Sequence, residues 1–357
     1  MADEKKQEFR FLATGIGSVP YLDVRKTCRM ILDRFPEVPF WPQFPKRSFL
    51  EGMIVQFSEG LPLLEPDEQE MGLQVSQKDR SSEFTRFWEH FLVDDTDYFA
   101  MSREHAQGLY AMIDLLKEKP EGDYVKGQSV GPVTFCTAIR DSEGRAVIHD
   151  AEWSEALAKG LAIKALWQIR ELSKLGRRPI LFIDEPSLSG FGSAFSPVER
   201  DEVIRMLREF MTYLRERCSV VLGIHCCGNT DWSMIVESGP DIINFDAYTY
   251  LETFVLYREQ ISRFLAAGGS VAWGIVPTGD QAGHASTQAM IERLGEGLDR
   301  LSGSGRSLHE ISRSSLLTPA CGMGNMSETA ANETMDLLKE VSKQIRNPKH
   351  EIRNKVK

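Results

Sequence analysis

Short β-branched or aromatic runs alternate with apolar stripes of helical period over most of the chain. The runs 9–15, 123–130, 179–183, 219–224, 241–245, 271–276 and 315–318 have strand length, and 179–183, 219–224 and 271–276 are apolar nearly throughout, as strands buried on both faces are. Between them the spacing predicts helices at 21–35, 97–117, 153–175, 198–217, 249–267, 287–301 and 328–345. In 97–117 the apolar face is Phe99, Leu109, Met112, Ile113 and Leu116. Pro36 closes the first helix, Gly176 and the pair Gly268 and Gly269 stop two others, and Ser286 stands where a helix N-cap belongs. The proline- and aromatic-rich segment 39–45 falls where a second strand is due. Residues 46–60 read as an irregular helix, and the acidic, turn-rich stretch 61–82 as an insertion or an active-site flap.

Strand and helix therefore alternate about eight times, which implies a parallel sheet. No GxGxxG or GxxxxGK[ST] follows any strand, so nucleotide-binding doubly wound folds lose ground. The polar and ligating residues lie just after the strands, where an α/β barrel keeps its active site. The expectation is one (β/α)8 TIM barrel over 1–345, with its site at the C-terminal ends of the strands. Residues 346–357, basic and nearly repeating the triplet IRN, read as a flexible tail.

A length of 357 residues accommodates such a barrel, and 42% hydrophobic with 26% charged residues is the balance of a soluble globular protein. The net charge of −10, with no basic stripe, argues against nucleic acid as a partner. No apolar run is long enough to span a bilayer, and residues 1–6 are not a signal peptide. Six cysteines in a chain this large are not a secreted disulfide framework; thiols or metal ligands in a reducing cytoplasm are expected.

The chemistry gathers at strand ends. The strand 219–224 runs into His225, Cys226, Cys227 and Gly228, and Asn229, Thr230 and Asp231 then offer caps for a helix. His225 and Cys227, two residues apart, can turn to one side and share a metal; the bland alternative is a pair of inert, buried side chains. In a barrel, Asp246 and Cys321 arrive at the same mouth. Two thiolates, an imidazole and a carboxylate form a zinc set with an exchangeable oxygen position. Asp246 equally suits the cap of the next helix. Such a site favours alkyl transfer to a thiol, because zinc keeps the thiol ionised while anionic ligands leave the sulfur nucleophilic. Asp184, after the strand 179–183, is placed to hold a substrate ammonium group, or else to pair internally with Glu185 and its surroundings. Ile16, Gly17 and Ser18 offer backbone groups and a hydroxyl to a carboxylate or ammonium, or make a plain strand-to-helix turn.

IGS at 16–18, FIDEPSL at 182–188, HCC at 225–227, INFDAY at 243–248 and TPACGMG at 318–324 occur in the order found in cobalamin-independent methionine synthases. The chain resembles the catalytic domain of that family, part of a superfamily with uroporphyrinogen decarboxylases and corrinoid-linked methyltransferases. The resemblance implies that His225, Cys227 and Cys321 are zinc ligands, and it supports Cys227 over Cys226. It puts Asp246 in the place of a glutamate ligand. Ile16, Ser18 and Asp184 match homocysteine-binding positions, and Gln43 stands where the family has a glutamate that contacts homocysteine.

Other departures point to the methyl donor. Ala138 stands near a tryptophan that meets folate in the family, about Gly190 replaces a folate-binding glutamate, and Val276 or a neighbour replaces a proton-donating histidine. The chain also leaves no room for the family's second barrel. This is similar to short "core" methionine synthases, and the resemblance implies methylation of homocysteine to methionine with a methylated corrinoid protein (methylcobalamin) as donor. Other readings are a methylcorrinoid:coenzyme M-type thiol methyltransferase, a folate-dependent methionine synthase, and a non-enzymatic zinc-binding barrel that partners a corrinoid protein.

Overall fold

The computed structural model describes residues 8–119, 122–191, 198–279, 285–302 and 307–347. Its elements are Leu12–Ala13 (β1), Val24–Arg34 (α1), Leu64–Asp67 (β2), Gly72–Val75 (β3), Arg80–Leu92 (α2), Gln107–Glu118 (α3) and Tyr124–Val130 (β4). Next come Pro132–Ala138 (α4), Ala151–Ser173 (α5), Arg178–Asp184 (β5), Arg200–Arg215 (α6), Val221–Cys226 (β6), Trp232–Ser238 (α7) and Ile242–Phe245 (β7). The chain continues through Ala247–Phe254 (α8), Arg258–Ala266 (α9), Ser270–Val276 (β8), Thr287–Ser302 (α10), Leu308–Arg313 (α11), Ser315–Pro319 (β9) and Glu328–Arg346 (α12).

Seven parallel strands form one sheet in the order β1-β9-β8-β7-β6-β5-β4. The gap between its two edges is spanned by residues 39–43, which pair in parallel with both sides, Phe40 with Lys126 and Gln43 with Ser18. Trp41 N donates to Lys126 O, Lys126 N to Pro39 O, Gln43 N to Gly17 O and Val19 N to Gln43 O. Pro39 and Pro42 have no N–H to give, so this eighth position is held by isolated bridges instead of a continuous ladder. The result is a (β/α)8 barrel with a thin seam. Gly15 and Gly17 belong to that seam. A Cβ on Gly15 would lie 2.3 Å from the Phe40 ring, and one on Gly17 would lie 2.6 Å from Gln43 Oε1. Their backbone is bare because the seam segment packs on it.

Alternation along each strand separates two cores. Ile180 and Phe182, Val221, Ile242, Ala272 and Leu316 point inward and pack with Leu12, Ile16 and Val38. The residues between them, such as Leu181, Ile183, Leu222, Ile224, Ile243 and Phe245, face the helices in the larger outer core. Each such fully buried Leu, Ile or Phe contributes roughly 1.5–3 kcal/mol. By the same period of two, Asp184, His225 and Asn244 continue the inward face at the strand ends, and they are register partners of one another.

Several elements differ from the sequence expectation. The first strand shrinks to Leu12–Ala13 because Arg10 and Phe11 adopt positive φ (46° and 62°), held by bonds from the Phe9, Arg10 and Phe11 amides to Arg313 O and Ser315 O. Residues 46–60 make two 3-10 turns, Phe49–Glu51 and Val55–Phe57, and no α-helix. The helix expected at 97–117 starts at Gln107, since Glu59 draws Ser102 N (2.7 Å) and His105 (3.2 Å) into an irregular turn. The helix expected at 249–267 breaks into α8, a 3-10 turn and α9. Within 61–82 lies the hairpin β2–β3, separate from the barrel sheet, and α2 begins at Arg80. Arg346 ends α12 and bonds Glu37 at 2.6 Å, so it belongs to the barrel; the expected tail from 348 on lies outside the described residues. Among the described residues no helix is long and apolar enough to cross a membrane.

Lys164 of α5 is buried completely and donates to Phe99 O at 2.7 Å. Burial lowers its ammonium from 10.5 to about 7, with Glu59 opposing. Between those values the unfolded chain holds a proton that the folded chain has lost, so stability rises with pH across that window. The contribution is present in full above about 10.5 and is lost as the pH falls toward about 7. Urea melts of wild type and Lys164→Met at several pH values between these limits should show wild type gaining on the variant as the pH rises. Parallel curves would mean that Lys164 is not deprotonated in the fold.

Candidate metal centre

β6 carries His225 inward and Cys226 outward, and the chain then turns. Cys226 is fully buried in the outer core, with Sγ 3.6 Å from Gly228 O and 3.8 Å from Ser189 Oγ. Its burial pushes the thiol up to about 12, so it is inert. Of the three cap residues expected after it, Asp231 performs the task, accepting from Ser233 N and Met234 N at the start of α7. Cys227 swings back over the mouth, where Cys321 arrives from the end of β9.

One ligand atom from each of His225, Cys227 and Cys321 lies within 4.8 Å of the others. It is the one grouping of three or more His, Cys, Asp or Glu among the described residues that could hold a metal ion. The Cys321 thiol donates toward Cys227 and His225 assists, and together they hold the Cys227 thiol well below the usual range against its burial. The same bond and burial push Cys321 up.

Asp246 is not in this grouping. Its carboxylate caps α8, accepting from Thr249 N at 2.8 Å. Burial raises its pKa, with the Cys227 thiolate adding to the effect. Asp184 is 7% exposed and points inward, and its Oδ1 has no hydrogen-bond partner among protein groups. Burial raises its pKa, opposed by His225 and Lys126.

Glu185 turns the other way. Fully buried, it accepts from Val133 N (3.0 Å), Thr134 N (2.7 Å) and Thr134 Oγ1 (2.7 Å) at the start of α4. The two acids therefore do not form a shared internal ion-pair cluster; one is a helix anchor and the other faces the barrel. Glu185→Gln sets an amide N–H against those donors and should cost about 2 kcal/mol. In a chain of this size that lowers the melting temperature by roughly 2–4 °C. An unchanged melting curve would mean that water replaces the anchor without loss.

The remaining expected residues share this mouth. Ser18 accepts from Gly324 N through Oγ (3.2 Å) and from Met323 N through its carbonyl (2.9 Å), which ties the loop at 16–18 to the loop after Cys321. Gln43 is 6% exposed and donates to Gln56 Oε1 at 2.6 Å, and Gln56 in turn donates to His105 O at 2.6 Å. The Ile16 carbonyl accepts from Lys126 Nζ at 2.5 Å. So Ile16, Ser18 and Gln43 have protein partners already, and Asp184 alone has a carboxylate oxygen without one. Ala138 ends α4, Gly190 sits at φ 74°, and Val276 ends β8, fully buried.

Lys126 escaped the sequence reading. It is fully buried within the barrel, 4.5 Å over the Phe182 ring and 3.4 Å from Gln128 Oε1. The available signal was a lysine and a glutamine two apart in a strand otherwise read as core. Asn244, beside His225, was missed too, hidden inside an apolar run.

The donor set fits zinc. Two sulfurs and one imidazole nitrogen come from three side chains already gathered, and among the described residues no fourth His, Cys, Asp or Glu joins them.

No protein-family model matches the chain, and no curated protein matches it. Among solved structures it is similar to a GH113 β-mannanase from Alicyclobacillus acidocaldarius, with 12% identity, a TM-score of 0.40, and coverage of 95% of this chain and 98% of that one. It is similar also to a dihydropteroate synthase from Coxiella burnetii in complex with pteroic acid, at 12% identity and a TM-score of 0.31, covering 93% of each chain. A third is a glycoside hydrolase, at 11% identity and a TM-score of 0.29, covering 64% of this chain and 91% of that one.

Proposed function

We propose that the chain is a zinc-dependent thiol methyltransferase that converts homocysteine to methionine, with a methylated corrinoid protein as donor. The observation that carries this reading is the gathering of His225, Cys227 and Cys321 at one barrel mouth, three ligands with no fourth among the described residues, beside the unpartnered oxygen of Asp184. Zinc held there would keep an acceptor thiol ionised near neutral pH and within reach of an electrophile. Asp184 would receive the ammonium group of the amino acid, and its buried position makes that pairing strong and selective. Ser18 and the loop after Cys321, already bonded to each other, form the opposite wall.

In the transfer, the sulfur lone pair forms the S–CH3 bond while the cobalt–carbon bond breaks, and its electron pair stays on cobalt. That leaving group needs no proton, which agrees with the reading that Val276 or a neighbour replaces a proton-donating histidine. Coenzyme M suits the mouth less well, since its sulfonate would face the Asp184 carboxylate. A folate donor suits it less well because Ala138 offers no stacking surface and Gly190 no acidic partner.

The test pairs zinc analysis with four assays: homocysteine or coenzyme M, each with methylcobalamin or methyltetrahydrofolate. Turnover of homocysteine with methylcobalamin, and little with methylfolate, is expected. Equal rates with both donors would return the chain to the folate-dependent class, and no zinc in the wild-type protein would remove the metal reading.

A further inference from the structure

His225 can face a metal through only one ring nitrogen, and the other needs a partner that fixes which nitrogen carries the proton. Nδ1 lies 2.5 Å from Asn244 Oδ1. The orientation of the Asn244 amide is set by chemistry and not by choice of label. Its nitrogen donates to Ala272 O at 2.8 Å and to Thr318 Oγ1 at 2.9 Å. A backbone carbonyl only accepts, so the nitrogen must face Ala272 and the oxygen must face His225. An oxygen acceptor at Nδ1 demands Nδ1–H, which leaves Nε2 as the nitrogen for an ion, and the His225 ligand atom lies within 4.8 Å of those of Cys227 and Cys321. Asn244 is fully buried, and its three partners come from β6, β8 and β9, so it cannot rotate away without breaking all of them.

We infer that Asn244 is the positioning residue of the metal centre: it locks His225 with its proton on Nδ1 and presents Nε2 to the ion, using an uncharged acceptor anchored across three strands. The inference rests on reading His225, Cys227 and Cys321 as metal ligands. A neutral amide orients the ring as a carboxylate would, but adds no negative charge to a site that already carries two sulfur ligands.

Zinc affinity measured by chelator competition should fall 10–100-fold in Asn244→Leu, as it does when such an orienting partner is lost. Asn244→Asp keeps the acceptor and should bind zinc at least as tightly as wild type. Thr318→Val removes one anchor of the amide and should weaken zinc less, about 3–10-fold, up to the lower limit of that range. This variant serves as the readout if Asn244→Leu does not fold.

Proton NMR of the metal-free wild type supplies a second readout. The His225 Nδ1–H should appear as a slowly exchanging downfield ring proton, kept in Asn244→Asp and lost in Asn244→Leu. Unchanged zinc affinity in both Asn244→Leu and Thr318→Val would overturn the inference, as would loss of the ring proton in none of them. Wild-type protein that shows the ring proton but binds no zinc would instead overturn the metal reading and leave the Asn244–His225 bond standing.

Discussion

Serine at Cys227 or Cys321 is expected to strip zinc from the protein, lowering affinity by about two orders of magnitude or more. Structural zinc sites of four ligands bind with roughly 10–16 kcal/mol, so one ligand of that kind accounts for roughly 3 kcal/mol, and a hydroxyl does not ionise to replace a thiolate. With three gathered ligands here, no spare donor stands ready among the described residues. His225→Ala should behave likewise. Asp246→Asn is the internal control: its carboxylate is engaged with Thr249 N, so zinc should remain within a few-fold of wild type while α8 loses part of its cap. Metal content after dialysis against a weak chelator separates these cases. If Asp246→Asn empties as completely as Cys321→Ser, then Asp246 leaves its cap to complete the site, and the three-ligand account is wrong.

Asp184→Asn should weaken homocysteine by roughly 2–3 kcal/mol, about 30- to 150-fold, which is the scale for removing one partner of a buried charge pair. The effect should be confined to substrates that carry the ammonium group. A simple thiol such as 2-mercaptoethanol does not reach for Asp184, so its turnover with methylcobalamin should stay near that of wild type. Zinc content should not change, because Asp184 is outside the ligand grouping. A parallel loss for both thiols would show that Asp184 holds the barrel together or sets the charge of the metal site, and does not recognise the amino acid. The thiol pair is informative because both compounds meet the same sulfur chemistry and differ in the group that Asp184 would bind.

The barrel was readable from the chain because strands buried on both faces announce themselves as unbroken apolar runs, as at 179–183 and 219–224. The gathering of His225, Cys227 and Cys321 was readable for a topological reason: parallel strands of one barrel deliver their ends to one mouth whatever their separation in sequence. What could not be read was the inward or outward choice at single residues. Asp184 and Glu185 are chemically alike and adjacent, and only the pleat sends one to the barrel and the other to the start of α4. Asp246 had two plausible tasks, and the hydrogen bond from Thr249 N gives it the cap. Helix beginnings failed where polar tertiary contacts overrode an apolar stripe, as Glu59 does with Ser102 and His105 ahead of α3. Asn244 and Lys126 were invisible because a single polar residue within an apolar strand has no period of its own.

The seam at 39–43 gives the mouth two mechanical halves. His225 and Asn244 sit on strands paired along both edges, whereas Gln43 and the loop at 16–18 meet across a few isolated bridges broken up by prolines. Local opening at the seam costs little ladder, while opening at β6 would tear two. Amide deuteration should therefore be fastest at Trp41 and Gln43 among the inner positions and slowest around Ile224 and Ile243. On the function proposed above, a corrinoid would be a broad, flat guest that approaches from the half that can yield, leaving the ligand half as a fixed anvil for the sulfur.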